Sequence, residues 1–187
     1  MTKQEILEAA AQIISEKGFH AASMADIAEA VDLRKASLYH HIASKQEILV
    51  ELLDQALDLL IERITAVVEQ DLPPKEKFKL AMREYLDVLV EHGDLAAVLL
   101  LEHRSLEPDM RKRHIPRRDK YEALWRGIIE EGVAQGVFVC DDPRLAVKAV
   151  LGIANWTIMW YSPNGSLTPR EIADRNADLI LNGFISR

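Results

Sequence analysis

Residues 23–47, SMADIAEAVDLRKASLYHHIASKQE, decide the fold of this 187-residue chain. They read as two short helices around a tight turn, followed at once by the start of a longer helix. Ser23 can cap the first helix because its hydroxyl accepts from an orphan backbone N–H, while Asp26, three residues on, can reach back to the cap. That helix would bury Ile27 and Val31, and the turn would run through Val31, Asp32 and Leu33. The second helix is expected to carry Ala36 and the ring stem of Tyr39 toward the body. Arg34, Lys35, Ser37, His40 and one edge of Tyr39 then face outward, with Leu38, His41 and Ile42 packing or capping the motif. An outward face of cations, hydroxyls and imidazole suits phosphates and base edges.

The flanking sequence is helical by period. Thr2 with Glu5 makes a capping-box pattern, after which Ile6, Leu7, Ala10, Ile13 and Ile14 form one apolar stripe that ends at Gly18. Ser44 with Glu47 repeats the box. Leu49, Leu52, Leu53, Ala56, Leu60, Ile64 and Val67 then recur at 3-and-4 spacing until Pro73-Pro74 forbids continuation. A helix from Lys45 to Gln70 would be roughly 39 Å long at 1.5 Å per residue. Phe78, Met82, Tyr85, Leu86 and Leu89 predict a fifth helix, and Leu95 to Leu101 a sixth that would be buried nearly all round. Pro108 opens a seventh with a kink at Pro116, burying Tyr121, Leu124, Trp125, Ile128, Ile129 and Val133 and ending near Gly132 and Gly136. Asp142-Pro143 is an N-cap followed by proline at the first helical position, launching an eighth helix to about Tyr161. A turn at Pro163-Asn164-Gly165 and a capping box at Thr168 and Glu171 lead into a ninth, with Ile172, Leu179, Ile180, Gly183 and Phe184. Only Val137-Phe138-Val139 looks like strand, and three residues do not make a sheet. The expected class is all-α with nine helices.

On Ile27-Ala28-Glu29-Ala30, Ser37-Leu38-Tyr39-His40-His41 and Ser44-Lys45-Gln46-Glu47-Ile48-Leu49, the chain resembles the TetR family of bacterial one-component transcriptional repressors. The specific motif covers about the first 50 residues, and the remainder fits through length and helical pattern. The resemblance implies a helix-turn-helix DNA-binding domain over residues 1–47 and a ligand-binding and dimerisation domain over 48–187. It also implies a homodimer whose eighth and ninth helices form a four-helix bundle with their copies, presenting two reading helices to successive major grooves about 34 Å apart. The DNA-binding candidates are Ser23, Arg34, Lys35, Ser37, Tyr39, His40 and Lys45. Tyr39 and Lys45 are assigned to phosphates, and Lys35 and Ser37 lie nearer base edges. Two positions depart from the family pattern. Asp32 stands where glycine is usual, and aspartate tolerates left-handed backbone better than most residues. Arg34 stands where serine or threonine normally caps the second helix, so that cap should be weaker.

Composition bounds the alternatives. At 49% apolar content the chain can bury a substantial core. A net charge of −7 argues at first against nucleic acid, yet from Arg34 to Lys45 there are three cations and no carboxylate. The single cysteine, Cys140, excludes an internal disulfide and a cysteine metal cage. There is no signal-peptide pattern, and the longest apolar run falls far short of the roughly 20 residues a membrane span needs, so a cytoplasmic protein with no membrane partner is expected.

Large apolar residues between the fourth and eighth helices exceed what the simplest packing requires. They could line a cavity whose polar groups come from His103, Arg104, Tyr121 and Asn155, with Tyr85, Leu99, Trp125, Trp156 and Met159 in its wall. For each of these, a satisfied core or surface residue is an equally good reading. Residues 104–120 hold seven cations against three carboxylates. Such a run is either a solvated helix face or a site for a polyanion such as the phosphates of coenzyme A. The stretch from Arg118 to Trp125, with Asn155-Trp156 and Trp160 to Gly165, is similar to family members that respond to fatty acyl-CoA thioesters, which implies an acyl-CoA or fatty-acid inducer. Another apolar ligand is the alternative. The small residues Ala149, Gly152, Ala154, Ala173 and Ala177 fit either the dimer bundle or an intramolecular core. Enzyme chemistry finds little support. Cys140 has no nearby histidine, no glycine-rich phosphate loop or Gly-x-Ser-x-Gly turn is present, and His103 with Glu107 offers two metal ligands without a third. No cofactor is expected.

Overall fold

The computed structural model describes residues 2–182, and Gly183 and Phe184 of the expected ninth helix lie outside them. Among the described residues the structure is all helical, with nine α-helices and one short 3-10 turn. The chain divides into two compact units, one of residues 1–58 and 92–118, the other of residues 59–91 and 119–187.

The first unit holds α1 (Lys3–Lys17), α2 (Met24–Ala30), α3 (Lys35–Leu38), the first turns of α4 (Lys45–Val68), α6 (Gly93–Glu102), the 3-10 turn His103–Ser105 and the start of α7 (Pro108–Ala134). Local signals set its boundaries. Thr2 and Glu5 form the reciprocal capping box at α1, and Ser23 and Asp26 form it at α2. Ser44 accepts from the Glu47 N–H at 3.0 Å, but the Glu47 carboxylate reaches back to Ala43 N rather than to Ser44. Ile6, Leu7, Ala10 and Ile14 of α1 share one core with Ile27 and Ala28 of α2, Leu38, Ile42, and Ile48, Leu49, Leu52 and Leu53 of α4. α1 packs on both α2 and α6. Burying a leucine- or isoleucine-sized side chain stabilises by about 1.5–3 kcal/mol, so this shared core, rather than helix propensity, holds elements as short as α3 in place.

α6 differs from expectation. Only Ala96 and Val98 are buried, and Leu101 is exposed. Its sequence is apolar on every side, so its period could not indicate which face packs.

The second unit contains the rest of α4 and α7, α5 (Pro74–Glu91), α8 (Pro143–Trp160) and α9 (Pro169–Asn182). α5 packs on α8 and α9. Phe78 meets Trp125 and Phe138 edge to face, with centroids 5.9 and 6.3 Å apart, the arrangement aromatic quadrupoles favour. Phe138 is therefore a packing residue in an irregular segment and not part of a strand. Gly132 is what admits it: a Cβ there would fall 2.1 Å from the Phe138 ring. Gly136, at φ 69°, ends α7 in the left-handed region. α7 runs through Pro116 as one element. Tyr121, Trp125, Ile128 and Ile129 are buried as expected, whereas Val133 is exposed and Leu124 only half-buried. Asp142 caps α8, accepting from Arg144 N and Leu145 N. Thr168 and Glu171 make the capping box that starts α9. Arg83 holds α9 to α5 through a two-pronged pair with Asp174, and Lys79 pairs with Asp178 at 2.6 Å.

Of the small residues, Ala154, Ala173 and Ala177 are buried within the protomer. Ala149 and Gly152 stay exposed on α8 beside Ile153, Trp156, Met159 and Trp160.

Candidate functional site

The turn between α2 and α3 is a Schellman motif. Leu33 N donates to Ala28 O at 2.8 Å and Asp32 N to Glu29 O at 3.1 Å, and Asp32 takes φ 52°, the left-handed conformation that normally calls for glycine. Aspartate accommodates it, as the sequence suggested. α3 begins at Arg34 with no side-chain cap, and its first turn closes through Arg34 O, which accepts from Ser37 N at 2.8 Å and Leu38 N at 3.1 Å.

Leu38 and Ile42 anchor this helix, with 0% and 1% of their surface exposed. Ala36 is exposed, contrary to the inward placement expected of it, and His41 is exposed rather than packed. A four-residue helix has room for one inward residue, and Leu38 takes that position. Arg34, Lys35, Tyr39 and His40 are exposed and Ser37 half-exposed, so five of the seven candidate DNA contacts are accessible on and beside α3.

The other two are committed within the protein. The Ser23 hydroxyl accepts from Asp26 N at 3.1 Å and donates to the Asp26 carboxylate at 2.6 Å. Lys17 completes that cluster at 3.0 Å, and the Ser23 hydroxyl, then Lys17, hold the Asp26 carboxyl far below the ordinary aspartate range. Lys45 donates to Phe19 O and Ala22 O, both at 2.7 Å, and to His20 O at 3.5 Å, while standing 4.5 Å over the Phe19 ring. A lysine at the first position of a helix opposes the helix dipole. Here the carbonyls of the α1–α2 connection compensate, and the ammonium ties that connection to α4.

Two further sets of contacts in the first unit escaped the sequence reading. The Gln46 side-chain amide donates to Ser105 O at 2.9 Å and accepts from Glu107 N at 3.0 Å, clasping the backbone between α6 and α7 to the first turn of α4. Asp54, buried on α4, accepts from His114 Nδ1 at 2.8 Å and Arg117 Nη1 at 2.7 Å, and Arg117 also donates to Asp58 at 2.8 Å. Because an ionised carboxylate can only accept, Nδ1 carries the proton.

Much of the basic run is therefore engaged. Arg117 is paired, Arg111 donates to Arg104 O and Leu106 O, and Lys112 pairs with Asp109. Arg104 and Arg113 are exposed and make no side-chain bond to another described residue. His103 is also exposed, and partial burial together with nearby Arg104 and Arg118 holds its pKa below the usual histidine value. His103 lies in the 3-10 turn and Glu107 in the link beyond it, so they are not one turn apart on an α-helix. No group of three donors that could hold a metal occurs among the described residues. Leu99 is half-buried on α6, Arg118 is exposed, and Cys140 is half-buried.

In the second unit, Tyr85, Asn155, Tyr121 and Trp125 come together. The Tyr85 hydroxyl donates to Asn155 Oδ1 at 2.7 Å. Burial raises the Tyr121 phenol well above its ordinary pKa, Tyr85 adding to the effect and the Trp125 indole opposing it. Trp125 is 0% exposed. Trp156 and Met159, expected beside them, instead project from α8 with 65% and 55% of their surface exposed.

No described helix is long and apolar enough to cross a membrane. Residues 6–52 match the model of bacterial regulatory proteins of the tetR family, and residues 71–184 match a tetracyclin repressor-like C-terminal domain. The chain is 29% identical over 182 residues to the HTH-type transcriptional repressor KstR2 of Mycobacterium tuberculosis, covering 96% of this chain and 91% of that protein. Among solved structures it is similar to the TetR family regulator PfmR from Thermus thermophilus, at 39% identity and TM-score 0.89, covering 97% and 99% of the two chains. It is also similar to AibR, solved in complex with isovaleryl coenzyme A and operator DNA, at 31% identity and TM-score 0.87, covering 95% and 96%. With a capped two-helix reading motif at one end and family matches along nearly the whole chain, this protein belongs to the TetR family of DNA-binding transcriptional regulators.

Proposed function

We propose that the protein is a homodimeric repressor that binds a palindromic operator and is released from it by a small apolar ligand carrying an acyl thioester. The observation that carries this reading is the accessible surface of α3 and its flanks, where Arg34, Lys35, Ser37, Tyr39 and His40 stand exposed or half-exposed around buried Leu38 and Ile42. Cations and a phenol on a helix so anchored contact phosphates, and Lys35 and Ser37 lie where base edges would be read.

Dimerisation is supported by the outer face of α8. Ile153, Trp156, Met159 and Trp160 expose large apolar surfaces around Gly152, and monomers rarely leave such a patch in water. A second copy of α8 would cover it, with Gly152 admitting close approach. The ligand class is supported by the similarity to AibR, whose structure holds isovaleryl coenzyme A. Arg104, Arg113 and Lys120 are exposed cations of the basic run with no side-chain partner among the described residues, available to phosphate groups.

Release needs no chemistry. A ligand that prefers a conformation poorly matched to the operator shifts the population by no more than its difference in affinity between the two states. Within the first unit, the Gln46 clasp ties the α6–α7 connection to the helix that follows the reading motif. The test is a mobility shift on the protein's own promoter fragment across a salt series, with and without octanoyl-CoA. Binding by wild type, its loss in Tyr39→Ala, and release by octanoyl-CoA are expected. A Tyr39→Ala protein that binds like wild type would remove the reading surface from α3.

A further inference from the structure

Among the described residues, four buried side-chain atoms of the second unit have no hydrogen-bond partner: Tyr121 Oη, Trp125 Nε1, Thr157 Oγ1 and Asn176 Nδ2. Interiors seldom leave such groups unsatisfied, and Tyr121 and Trp125 have further features that set them apart. They lie one helical turn apart on α7, so their side chains share a face. Both can donate: the phenol offers an O–H, and the indole can do nothing else. The indole N–H stands close enough to the phenol oxygen to lower its pKa, but by distance and angle neither group has a hydrogen-bond partner among the described residues. The Tyr85 hydroxyl donates its proton to Asn155, and its oxygen accepts from neither Tyr121 nor Trp125.

The surroundings limit what could fill the gap. The side chains gathered with Tyr121 are those of Tyr85, Asn155 and Trp125, none of them cationic. A carboxylate placed there would lose its hydration with no positive partner in return. An uncharged oxygen with two lone pairs would satisfy two donors at once.

Resting on the proposed function, we infer that Tyr121 and Trp125 form a two-donor subsite for an uncharged carbonyl or keto oxygen at the buried end of the inducer. The regulator therefore distinguishes a thioester or ketone from the free acid and from an alkyl chain without the carbonyl. A bound ketone or thioester accepts from the phenol and the indole, and its chain lies against Phe78 and the aromatic cluster around Trp125.

The experiment compares four probes by calorimetric titration: octanoyl-CoA, its thioether S-octyl-CoA, 2-decanone and octanoate, with wild type and Tyr121→Phe. Octanoyl-CoA should bind wild type roughly tenfold more tightly than S-octyl-CoA, since one net hydrogen bond is about a factor of ten in affinity. The gap should close in Tyr121→Phe. In the ligand-free protein the same variant should melt at or above the wild-type temperature, because the hydroxyl it removes has no partner. Equal binding of the two coenzyme A probes by wild type would overturn the subsite while leaving an acyl-CoA inducer in place. Binding of 2-decanone alone, weakened in Tyr121→Phe, would keep the subsite and refute the acyl-CoA reading. Failure of every probe, or tightest binding by octanoate, would refute the subsite. So would a lower melting temperature of ligand-free Tyr121→Phe, which would mean that water already satisfies the phenol.

Discussion

Replacing Lys45 with glutamine separates two roles that a lysine beside a reading helix can play. Its ammonium lies 2.7 Å from two carbonyl oxygens and 4.5 Å from the Phe19 ring centroid. A hydrogen bond from a charged donor contributes about 1.5–3 kcal/mol. The site is only part-buried, so two such bonds at the low end give about 3 kcal/mol, and the cation–π contact adds about 0.5 kcal/mol. Relief of the conflict with the α4 dipole returns about 0.5 kcal/mol, leaving a net loss of about 3 kcal/mol. For a chain of this size that lowers the melting temperature by about 6–12 °C. A phosphate contact would leave a different trace. Losing it would lower the magnitude of the slope of log affinity against log salt by about 0.9 while barely touching stability. Circular-dichroism melting and operator binding by fluorescence anisotropy at several salt concentrations measure both. We expect a large drop in melting temperature with an unchanged salt slope, and weaker operator binding as the α1–α2 connection loosens. An unchanged melting temperature with a slope reduced by about one unit would refute the reasoning.

Gly132→Ala should destabilise by about 2–3 kcal/mol in denaturant titration, because its Cβ would displace Phe138 from Phe78. Gly127→Ala, with nothing within 4 Å of the new methyl, should be neutral or slightly stabilising. Asp54→Ala should cost about 1–3 kcal/mol, since it leaves buried His114 without its acceptor while Arg117 keeps Asp58 and solvent, and calorimetry would detect it. Trp156→Glu should leave the protomer folded, sediment as a monomer and lose operator affinity, because its side chain is 65% exposed in the protomer. The folded-state pKa of Asp26 lies below its unfolded value, so its contribution is present above about pH 4 and disappears as pH falls through the folded value. Asp26→Asn should therefore show a shallower loss of stability than wild type between pH 4 and 2 in acid-titrated melts.

Features carried by neighbours in sequence were legible. The capping pairs Thr2–Glu5, Ser23–Asp26 and Thr168–Glu171 lie three residues apart, a spacing that is itself the signal, and all three form. The left-handed position at Asp32 and the missing cap at Arg34 were readable as departures from the family pattern, and both are found. Contacts between distant residues were not. Lys45 and Gln46 are spent on backbone groups, which leave no trace in a pattern of side chains. Asp54 meets His114 across 60 positions, so nothing local to either marks the pair. Trp156 and Met159 illustrate a third case. A large apolar residue on a helix could belong to an interior wall or to an outer face, and hydrophobicity alone cannot separate the two.

Because α1 packs on α6 as well as on α2, the apolar side of the first helix is finished by residues nearly 80 positions later. A transplanted reading module that stopped at the start of α4 would leave that side wet. Anyone exchanging operator specificity between relatives would need a discontinuous graft, carrying residues 92–118 along with the amino-terminal 58. The Gln46 clasp grips main-chain atoms, so the side chains at Ser105 and Glu107 within the graft could be varied without loosening it.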